Sequence, residues 1–388
     1  MSNRHLRTTQ QCVRIISTLS FAVFATVRCQ DDTRPIRIGT VGPYLSTTGA
    51  DNLRGVQMAV AEANAHGGIN GRQLELVVGN DSANGEKAVR IADGFIKDPS
   101  IVAVAGHMTS GAMIPTAQLY DGQLAAVATM ATSPQLTNIS PWVFRVTASD
   151  VTLAANLAQF VASKHWARVA ILYENDSWGR ALSNAFQTAQ LSAGGQTISA
   201  DPVSTRLLDP NTLDLGVYLR TVAKSQPDVL MFIGSNNTVG LRFLRQAAAR
   251  NLHIPIVGSD GLSPQRLATE PSAQGVYFPS TFVADESDSV ANDFRDRFKA
   301  RFGYEADMYA ALGYDATLAI ISAIRVAGPD RARVRAALAS SANAGVRGAT
   351  GNISFVNGDR KERFGGLVRI EGGVVKTYLH WKDVNASR

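Results

Sequence analysis

Short apolar segments alternate with amphipathic segments from Pro35 onward, and this alternation limits the possible folds more than any other feature. The run 36–41 (IRIGTV) has the composition of a strand, and the apolar residues of 53–63 then recur at spacings of three and four. Further strand-like runs cover 74–78 and 101–105. Strands that are apolar nearly throughout and alternate with helices are typical of a parallel sheet covered on both faces. The sequence therefore predicts an α/β fold.

The same alternation restarts in the second half of the chain. Strand-like runs cover 168–173, 229–233 and 254–257, and the segments 178–193 and 239–250 between them have helical patterns. A length of 388 residues suggests two domains at roughly 100–200 residues each. From Gly351 onward the pattern changes to short strands with turns at 357–359 and 371–373, which is typical of hairpins added at a sheet edge.

The N-terminus has the features of a secretory signal peptide. Arg4, Arg7 and Arg14 precede an uncharged stretch of thirteen residues, 15–27, which is shorter than the roughly 20 residues that span a membrane. We therefore predict a signal peptide over residues 1–25. A lipid anchor on Cys29 is an alternative that the sequence disfavours, because Arg28 stands where such leaders carry a small residue.

Several functional classes are excluded by what the chain lacks. The only cysteines are Cys12 and Cys29, so the body after Gln30 has no thiol for a disulfide, a metal site or catalysis. The net charge of +6 includes the three arginines of the leader, and no basic cluster predicts a nucleic-acid partner. No glycine-rich dinucleotide or phosphate loop and no His-Glu-x-x-His metal motif occurs, so no cofactor or metal is expected.

A hydrolytic serine is also disfavoured by the local sequence. Ser110 lacks the Gly-x-Ser-x-Gly frame, because Met108 and Ala112 occupy the glycine positions. His107 lies three residues before Ser110, but no orienting carboxylate is evident near it in the sequence. The chain is therefore not expected to be an enzyme.

Small polar residues follow several strands at the point where ligands bind in open α/β sheets. Ser110 precedes a helix-like run, where a hydroxyl and backbone N–H groups can face an anion, and Thr132 can add a second hydroxyl. Helix capping by both residues explains them equally well. Asp260, after an apolar strand, is either a loop cap or a counter-charge for a cation. Together the three residues would suit a zwitterion.

Seven short motifs, in order, carry a family resemblance. They are Gly49-x5-Gly55 with Ala59, Asn64-x2-Gly67-Gly68-Ile69-x-Gly71, Asp81, Gly106-His107, Ala131-Thr132-x-Pro134-x-Leu136-Thr137, Tyr173-x4-Trp178-Gly179 and Gly313-Tyr314-Asp315-Ala316. By these motifs the chain resembles the periplasmic leucine/isoleucine/valine-binding proteins from about Ile36 to Trp381.

The resemblance implies a type I periplasmic binding protein fold, with two Rossmann-like lobes of parallel sheet joined by a three-strand hinge. Lobe 1 is expected to contain residues 36–147 and 278–355, and lobe 2 residues 148–277 and 356–388. The crossovers are expected near 144–150, 275–281 and 355–358. Three hinge strands favour a bending closure, because each strand then changes its dihedral angles only modestly.

The resemblance also assigns roles to residues. It places Ser110 and Thr132 on a ligand's α-carboxylate and Asp260 on its ammonium group. Asn236 stands where the family often has a tyrosine near the amino group, and Trp178 where an aromatic side chain, often tyrosine, closes over the ligand. Met130, Thr48 and Tyr309 are expected to line the side-chain pocket. Asn236 and Met130 depart from the commonest pattern, which leaves the identity of the ligand open.

These implications define the expected function. The chain is expected to be a monomeric, exported periplasmic solute-binding protein that clamps a branched-chain or related amino acid and delivers it to the permease of an ABC importer. The alternative is a binding protein or sensor for an amide, a urea or an aromatic carboxylate.

Overall fold

The computed structural model describes residues 33–204, 213–235, 239–285, 287–340, 346–361 and 365–384. The chain divides into an N-terminal segment, Met1–Thr33, and a compact body, Arg34–Arg388. The predicted signal peptide and Cys29 lie outside the described residues, and so does Asn236.

The first third of the body alternates strands and helices as the sequence predicts. The elements are β1 (Ile36–Gly42), α1 (Thr47–Ala65), β2 (Leu74–Asn80), α2 (Gly85–Lys97), β3 (Ile101–Gly106), α3 (Ser110–Tyr120), β4 (Ala125–Ala128) and β5 (Val143–Arg145). The five strands form one parallel sheet in the order β2-β1-β3-β4-β5. Every residue of β3 and β4 is buried, which is why these strands are apolar throughout.

The middle of the chain builds a second sheet. Its elements are α4 (Asp150–Ser163), β6 (Arg168–Glu174), α5 (Ser177–Ser192), β7 (Gln196–Val203), α6 (Gly216–Ser225), β8 (Val229–Ile233), α7 (Gly240–Ala249), β9 (Ile256–Val257), α8 (Pro264–Leu267) and β10 (Tyr277–Ser280). The strands pair in parallel in the order β10-β9-β8-β6-β7.

The rest of the chain contributes to both sheets. Its elements are α9 (Ser289–Phe302), α10 (Met308–Ala327), α11 (Arg331–Ala339), β11 (Val346–Gly348), β12 (Gly351–Ile353), β13 (Phe355–Val356), β14 (Asp359–Arg360), β15 (Gly366–Glu371) and β16 (Val374–His380). Helices α9 to α11 share a core with the first sheet. Strands β15 and β16 form a hairpin that extends the second sheet beyond β10, so the expected edge strands are confirmed.

We call the five-stranded sheet with its helices lobe 1 and the seven-stranded sheet with its helices lobe 2. The expected lobe boundaries need two corrections. Strand β10 pairs with β9 and β15, so residues 278–280 belong to lobe 2 and the second crossover follows Ser280. The hairpin of β13 and β14 lies against lobe 1, where the Arg145 N–H donates to Gly358 O at 2.9 Å, so the third crossover follows Arg360.

Helices α1 and α10 pack closely at the centre of lobe 1. A Cβ atom on Gly55 would lie 1.9 Å from Ala310 O, and one on Gly313 would lie 2.2 Å from Asn52 O. Glycine at these positions allows the two backbones to approach. Among the described residues, α10 is the one helix long and apolar enough to cross a membrane, but most of it is buried in this core.

Candidate ligand-binding cleft

A cleft of about 680 Å³ lies between the carboxyl ends of the two sheets. This volume is in the range of small-molecule sites, which occupy roughly 300–1,000 Å³. The start of α10 and the loops after β1 to β4, β6, β8 and β9 form its wall, so both lobes contribute. The candidate residues that line it are Thr48, Ser110, Met130, Trp178, Asp260 and Tyr309.

The lobe 1 side of the cleft can bind an anion. Ser110 is the first residue of α3, and the side chain of the preceding Thr109 does not cap the helix. The first N–H groups of a helix have no partner within it and carry the positive end of its dipole. Ser110 Oγ accepts a hydrogen bond from the Ser133 N–H at 3.1 Å, so its own hydroxyl hydrogen is free to donate. This geometry fits a carboxylate better than helix capping by Ser110.

Helices α3 and α5 face each other across the cleft. A Cβ atom on Gly111 of α3 would lie 3.5 Å from Ser177 Oγ of α5. Trp178 follows in the first turn of α5, and a Cβ atom on Gly261 would lie 2.6 Å from its ring. The indole is therefore packed against the loop that carries Asp260.

Thr132 does not line the cleft. It is 1% exposed, and its carbonyl oxygen accepts from the Asp150 N–H at 2.9 Å and from Arg145 Nη1 at 3.0 Å. Its hydroxyl lies beside the carboxyl of Asp150. The structure thus places Thr132 next to an acid, and not where it would contact a ligand carboxylate in the cleft.

Asp260 and Asp150 form a pair of buried acids. Asp260 is 4% exposed and Asp150 is fully buried at the start of α4. Asp260 Oδ1 has no hydrogen-bond partner within the described part of the chain. Burial raises the pKa of Asp260 to about 7, and burial together with repulsion from Asp260 raises the pKa of Asp150 to about 8. A cation placed beside these acids would favour their charged forms and so oppose both pKa shifts.

Sequence reasoning missed Asp150 and Glu174. Asp150 follows Ser149, whose side chain caps α4, so in the sequence it looks like an ordinary first-turn acid. Glu174 ends β6 and lines the cleft, and it accepts backbone hydrogen bonds from Val239 and Ser235 on the loop after β8. Burial and the nearby Asp176 raise the pKa of Glu174 to about 8. The sequence signal that could have found both residues is an acid at the end of an apolar strand or at the start of a helix beside the cleft.

Tyr309 connects the two lobes across the floor of the cleft. Its hydroxyl donates to Gly261 O at 2.9 Å and lies 3.3 Å from Asp260 O. Tyr309 is on α10 of lobe 1, whereas Gly261 follows β9 of lobe 2. The side chain therefore helps to fix the loop that presents Asp260.

The expectation that His107 lacks an orienting carboxylate was wrong. The buried ring lies with Nδ1 3.0 Å from Asp81 Oδ2 and Nε2 3.0 Å from the Tyr120 hydroxyl. Burial lowers the pKa of His107, and a neutral ring would donate to Asp81 and accept from Tyr120. Because Nε2 is occupied by Tyr120, this histidine is not arranged as a base for Ser110. In the ranges described above, no group of three or more His, Cys, Asp or Glu side chains is placed to hold a metal ion.

Two α/β lobes with a polar cleft between the carboxyl ends of their sheets define a bilobal small-molecule-binding protein. The family model described as "Periplasmic binding protein" matches residues 35–364, so the chain belongs to this family. This match confirms the resemblance found in the sequence.

The relatives support the same assignment. The Leu/Ile/Val-binding protein homolog 2 of Brucella abortus (strain 2308) is 27% identical over 333 residues, covering 82% of this chain and 86% of the relative. An ABC transporter substrate-binding protein from Desulfitobacterium hafniense, solved in complex with Leu, is 27% identical with a TM-score of 0.76, over 88% of this chain and 99% of that one.

A third structure is similar in fold alone. The solute-binding protein of an ABC transporter from R. palustris, solved in complex with benzoate, has a TM-score of 0.80 at 19% identity, over 89% of this chain and 96% of that one. The type I periplasmic binding fold is thereby confirmed. These relatives are described as binding proteins.

Proposed function

We propose that this chain is an exported solute-binding protein that captures an amino acid in the periplasm and delivers it to the permease of an ABC importer. The family assignment and the leader-like N-terminus support export. The relatives described as Leu/Ile/Val-binding or as solved with Leu support an apolar amino acid as the ligand.

The observation that carries the proposal is the polarity of the cleft. The start of α3 with Ser110 offers N–H and O–H donors on one side, and Asp260 lines the other, with the fully buried Asp150 close enough to repel it. An α-amino acid has a carboxylate and an ammonium group on adjacent carbons, so it can meet both at once. Binding of the ammonium group would neutralise two acids that otherwise repel each other.

The remaining wall would contact the ligand's side chain. Met130, Thr48 and Tyr309 come from lobe 1 and Trp178 from lobe 2, so a bound side chain would be enclosed only when the lobes are closed. Charged hydrogen bonds become stronger when closure excludes water.

A screen of ligand classes tests the proposal. The purified protein is heated with each proteinogenic L-amino acid, with benzoate, and with 4-methylpentanoate, which is leucine without its amino group. Leucine or a similar amino acid should raise the melting temperature, since a ligand that binds only the folded state stabilises it by mass action. Calorimetric titration then gives the affinity.

The amine-free acids decide between two binding functions. If benzoate or 4-methylpentanoate stabilises the protein and no amino acid does, the protein is a carboxylate-binding protein, as the R. palustris neighbour's complex illustrates. If no compound of either class changes the melting temperature, the proposal is refuted. Loss of uptake of the identified ligand in a deletion strain would separate import from sensing.

A further inference from the structure

The segment 260–266, which carries Asp260, contacts lobe 1 at two places. At its start, Tyr309 of α10 donates to Gly261 O. At its end, Arg266 on α8 of lobe 2 pairs with Asp51 on α1 and lies with Nε 3.6 Å from Asp307 Oδ2. The segment 260–266 thus contacts lobe 1 at both ends, and the residues of the Arg266 contact do not line the cleft.

The lobe 1 half of this contact is a pair of buried acids. Asp51 is 1% exposed and Asp307, which caps α10 by accepting from the Ala310 N–H, is 2% exposed. Asp51 also pairs with Arg54 of its own helix at 2.9 Å. Asp307 Oδ2 accepts from Ser263 Oγ at 3.1 Å, so a second residue of lobe 2 takes part. We call Arg266, Ser263, Asp51 and Asp307 the interlobe cluster.

Separation of the lobes would dismantle the cluster. Arg266 is the cation from lobe 2, and its guanidinium reaches both acids from between them. If it withdraws, Asp51 and Asp307 remain close together, and Asp307 loses its Arg266 and Ser263 partners. These contacts are made where water is largely excluded, and opening would replace them with weaker interactions with solvent. The cluster therefore favours the arrangement in which the lobes are together.

We propose that Arg266 is an interlobe clasp, a positioning residue that holds the lobes closed and so sets ligand affinity without contacting the ligand. Closure in this family of folds is a hinge motion around the ligand. Arg266 lies six residues after Asp260 on the same segment, so opening the clasp also frees the loop that presents Asp260. The effect on affinity rests on the proposed function, but the effect on lobe closure does not.

The test compares Arg266→Gln with the matched control Arg245→Gln. Arg245 pairs with Glu270 at 2.7 Å within lobe 2, on the surface, so its substitution removes a charge and an ion pair but no interlobe contact. Small-angle X-ray scattering measures the radius of gyration of each variant without ligand and with 1 mM L-leucine. Stopped-flow tryptophan fluorescence and titration measure the dissociation rate and affinity for L-leucine.

Arg266→Gln should have a larger radius of gyration than the wild type without ligand, and excess L-leucine should bring it back. Its affinity for L-leucine should fall about ten- to a hundredfold, chiefly through faster dissociation, because related complexes differ mainly in that rate. Arg266→Lys should lie between, since lysine keeps the charge but not the planar fork that spans two acids. Arg245→Gln should match the wild type in every measurement.

Two results would overturn the clasp. One is an unchanged ligand-free radius of gyration in Arg266→Gln, and the other is an equal change in Arg245→Gln. If Arg266→Gln folds poorly, adding Asp307→Asn should restore folding, because it removes the repulsion between Asp51 and Asp307 and asparagine still caps the helix. The double variant must then have a larger ligand-free radius of gyration than the wild type. If L-leucine does not bind the wild type, the proposed ligand fails, while ligand-free scattering still decides the clasp.

Discussion

Replacement of Asp260 by asparagine separates an amine-bearing ligand from one without an amine. The change keeps the shape of the side chain and removes its charge. For L-leucine, the ammonium group loses a buried counter-charge, and loss of one member of such a pair typically costs about 2–5 kcal/mol. At about 1.4 kcal/mol per decade, the affinity should fall roughly 30- to 5,000-fold. Asp150 remains as a second acid, so we expect the lower half of this range.

The same substitution should stabilise the ligand-free protein. Burial raises the pKa of Asp260 from 3.8 to about 7, which corresponds to roughly 4 kcal/mol of unfavourable free energy when the group is ionised. An acid with a raised pKa in the folded state begins to destabilise the protein above its unfolded pKa of 3.8, and the cost is complete above its folded pKa. Asp260→Asn should therefore raise the melting temperature at pH 8 by several degrees and leave it unchanged at pH 4.

Calorimetric titration with L-leucine and with 4-methylpentanoate at pH 8, together with melting curves, measures both effects. Asp293→Asn on α9 is the control, because it removes the same charge from a side chain that is 63% exposed. If the ligand has no amine, Asp260→Asn should leave its affinity equal or higher. Weaker leucine binding together with a lower melting temperature at pH 8 would refute the reasoning, since the loss would then come from damaged packing.

Three further predictions follow from the described contacts. The ligand-free protein should lose stability as the pH rises from about 4 to 8, because the raised pKa values of Asp150 and Asp260 mean that the folded state binds more protons than the unfolded state. The affinity for L-leucine should rise over pH 6 to 8, and the protons released on binding should make the binding enthalpy depend on the buffer. Thr132→Val should change the affinity for L-leucine less than about threefold in titrations, because Thr132 lies behind the cleft wall, and a loss above about tenfold would place its hydroxyl on the ligand. Gly55→Ala should cost about 1–3 kcal/mol in denaturant unfolding, because its Cβ would meet Ala310 O, whereas Gly94→Ala in α2 has open space and should be neutral or stabilising by up to about 1 kcal/mol.

The regular elements could be predicted because burial on both faces leaves a strong pattern. The strand predicted at 36–41 is β1 (Ile36–Gly42), and the one predicted at 168–173 is β6 (Arg168–Glu174). The helices predicted at 178–193 and 239–250 are α5 and α7. In each case a run of apolar residues or a helical spacing is imposed by the core that the element packs against.

The crossovers were harder because no local signal marks them. Strand β10 is four residues long and contains Pro279, so composition alone does not say which sheet it joins. Its place is set by pairing with β9 and β15, which lie about 20 and 90 residues away in sequence. The side of the hinge on which β13 and β14 lie depends likewise on the contact between Arg145 and Gly358.

The sequence indicated which residues line the cleft better than it indicated which buried charges interact there. Ser110, Trp178, Asp260 and Tyr309 line the cleft, whereas Thr132 lies behind it, and their roles toward a ligand stay predictions. These positions follow from strand ends, which the alternation of elements locates. The partner of Asp260 does not follow, because Asp150 comes from another lobe 2 element 110 residues earlier and only the folded chain shows that the two acids repel.

The segment 260–266 lies between two pairs of acids that differ in their counter-charges. At one end Asp51 and Asp307 meet Arg266, a cation supplied by the chain. At the other end the chain supplies no comparable cation at the unpartnered Asp260 Oδ1 within the described residues. The pKa values of Asp150 and Asp260 are raised, as burial and repulsion from Asp51 also raise that of Asp307. Like charges in a buried site favour whatever neutralises them, whether a proton or a ligand. A proton suffices below about pH 7. Above it an amino acid is the better solution, because its ammonium group neutralises the acids while its carboxylate accepts from the donors at the start of α3. The ligand can contact both the acids of lobe 2 and the start of α3 in lobe 1 only when the lobes are together, so ligand binding and the clasp act on the same equilibrium.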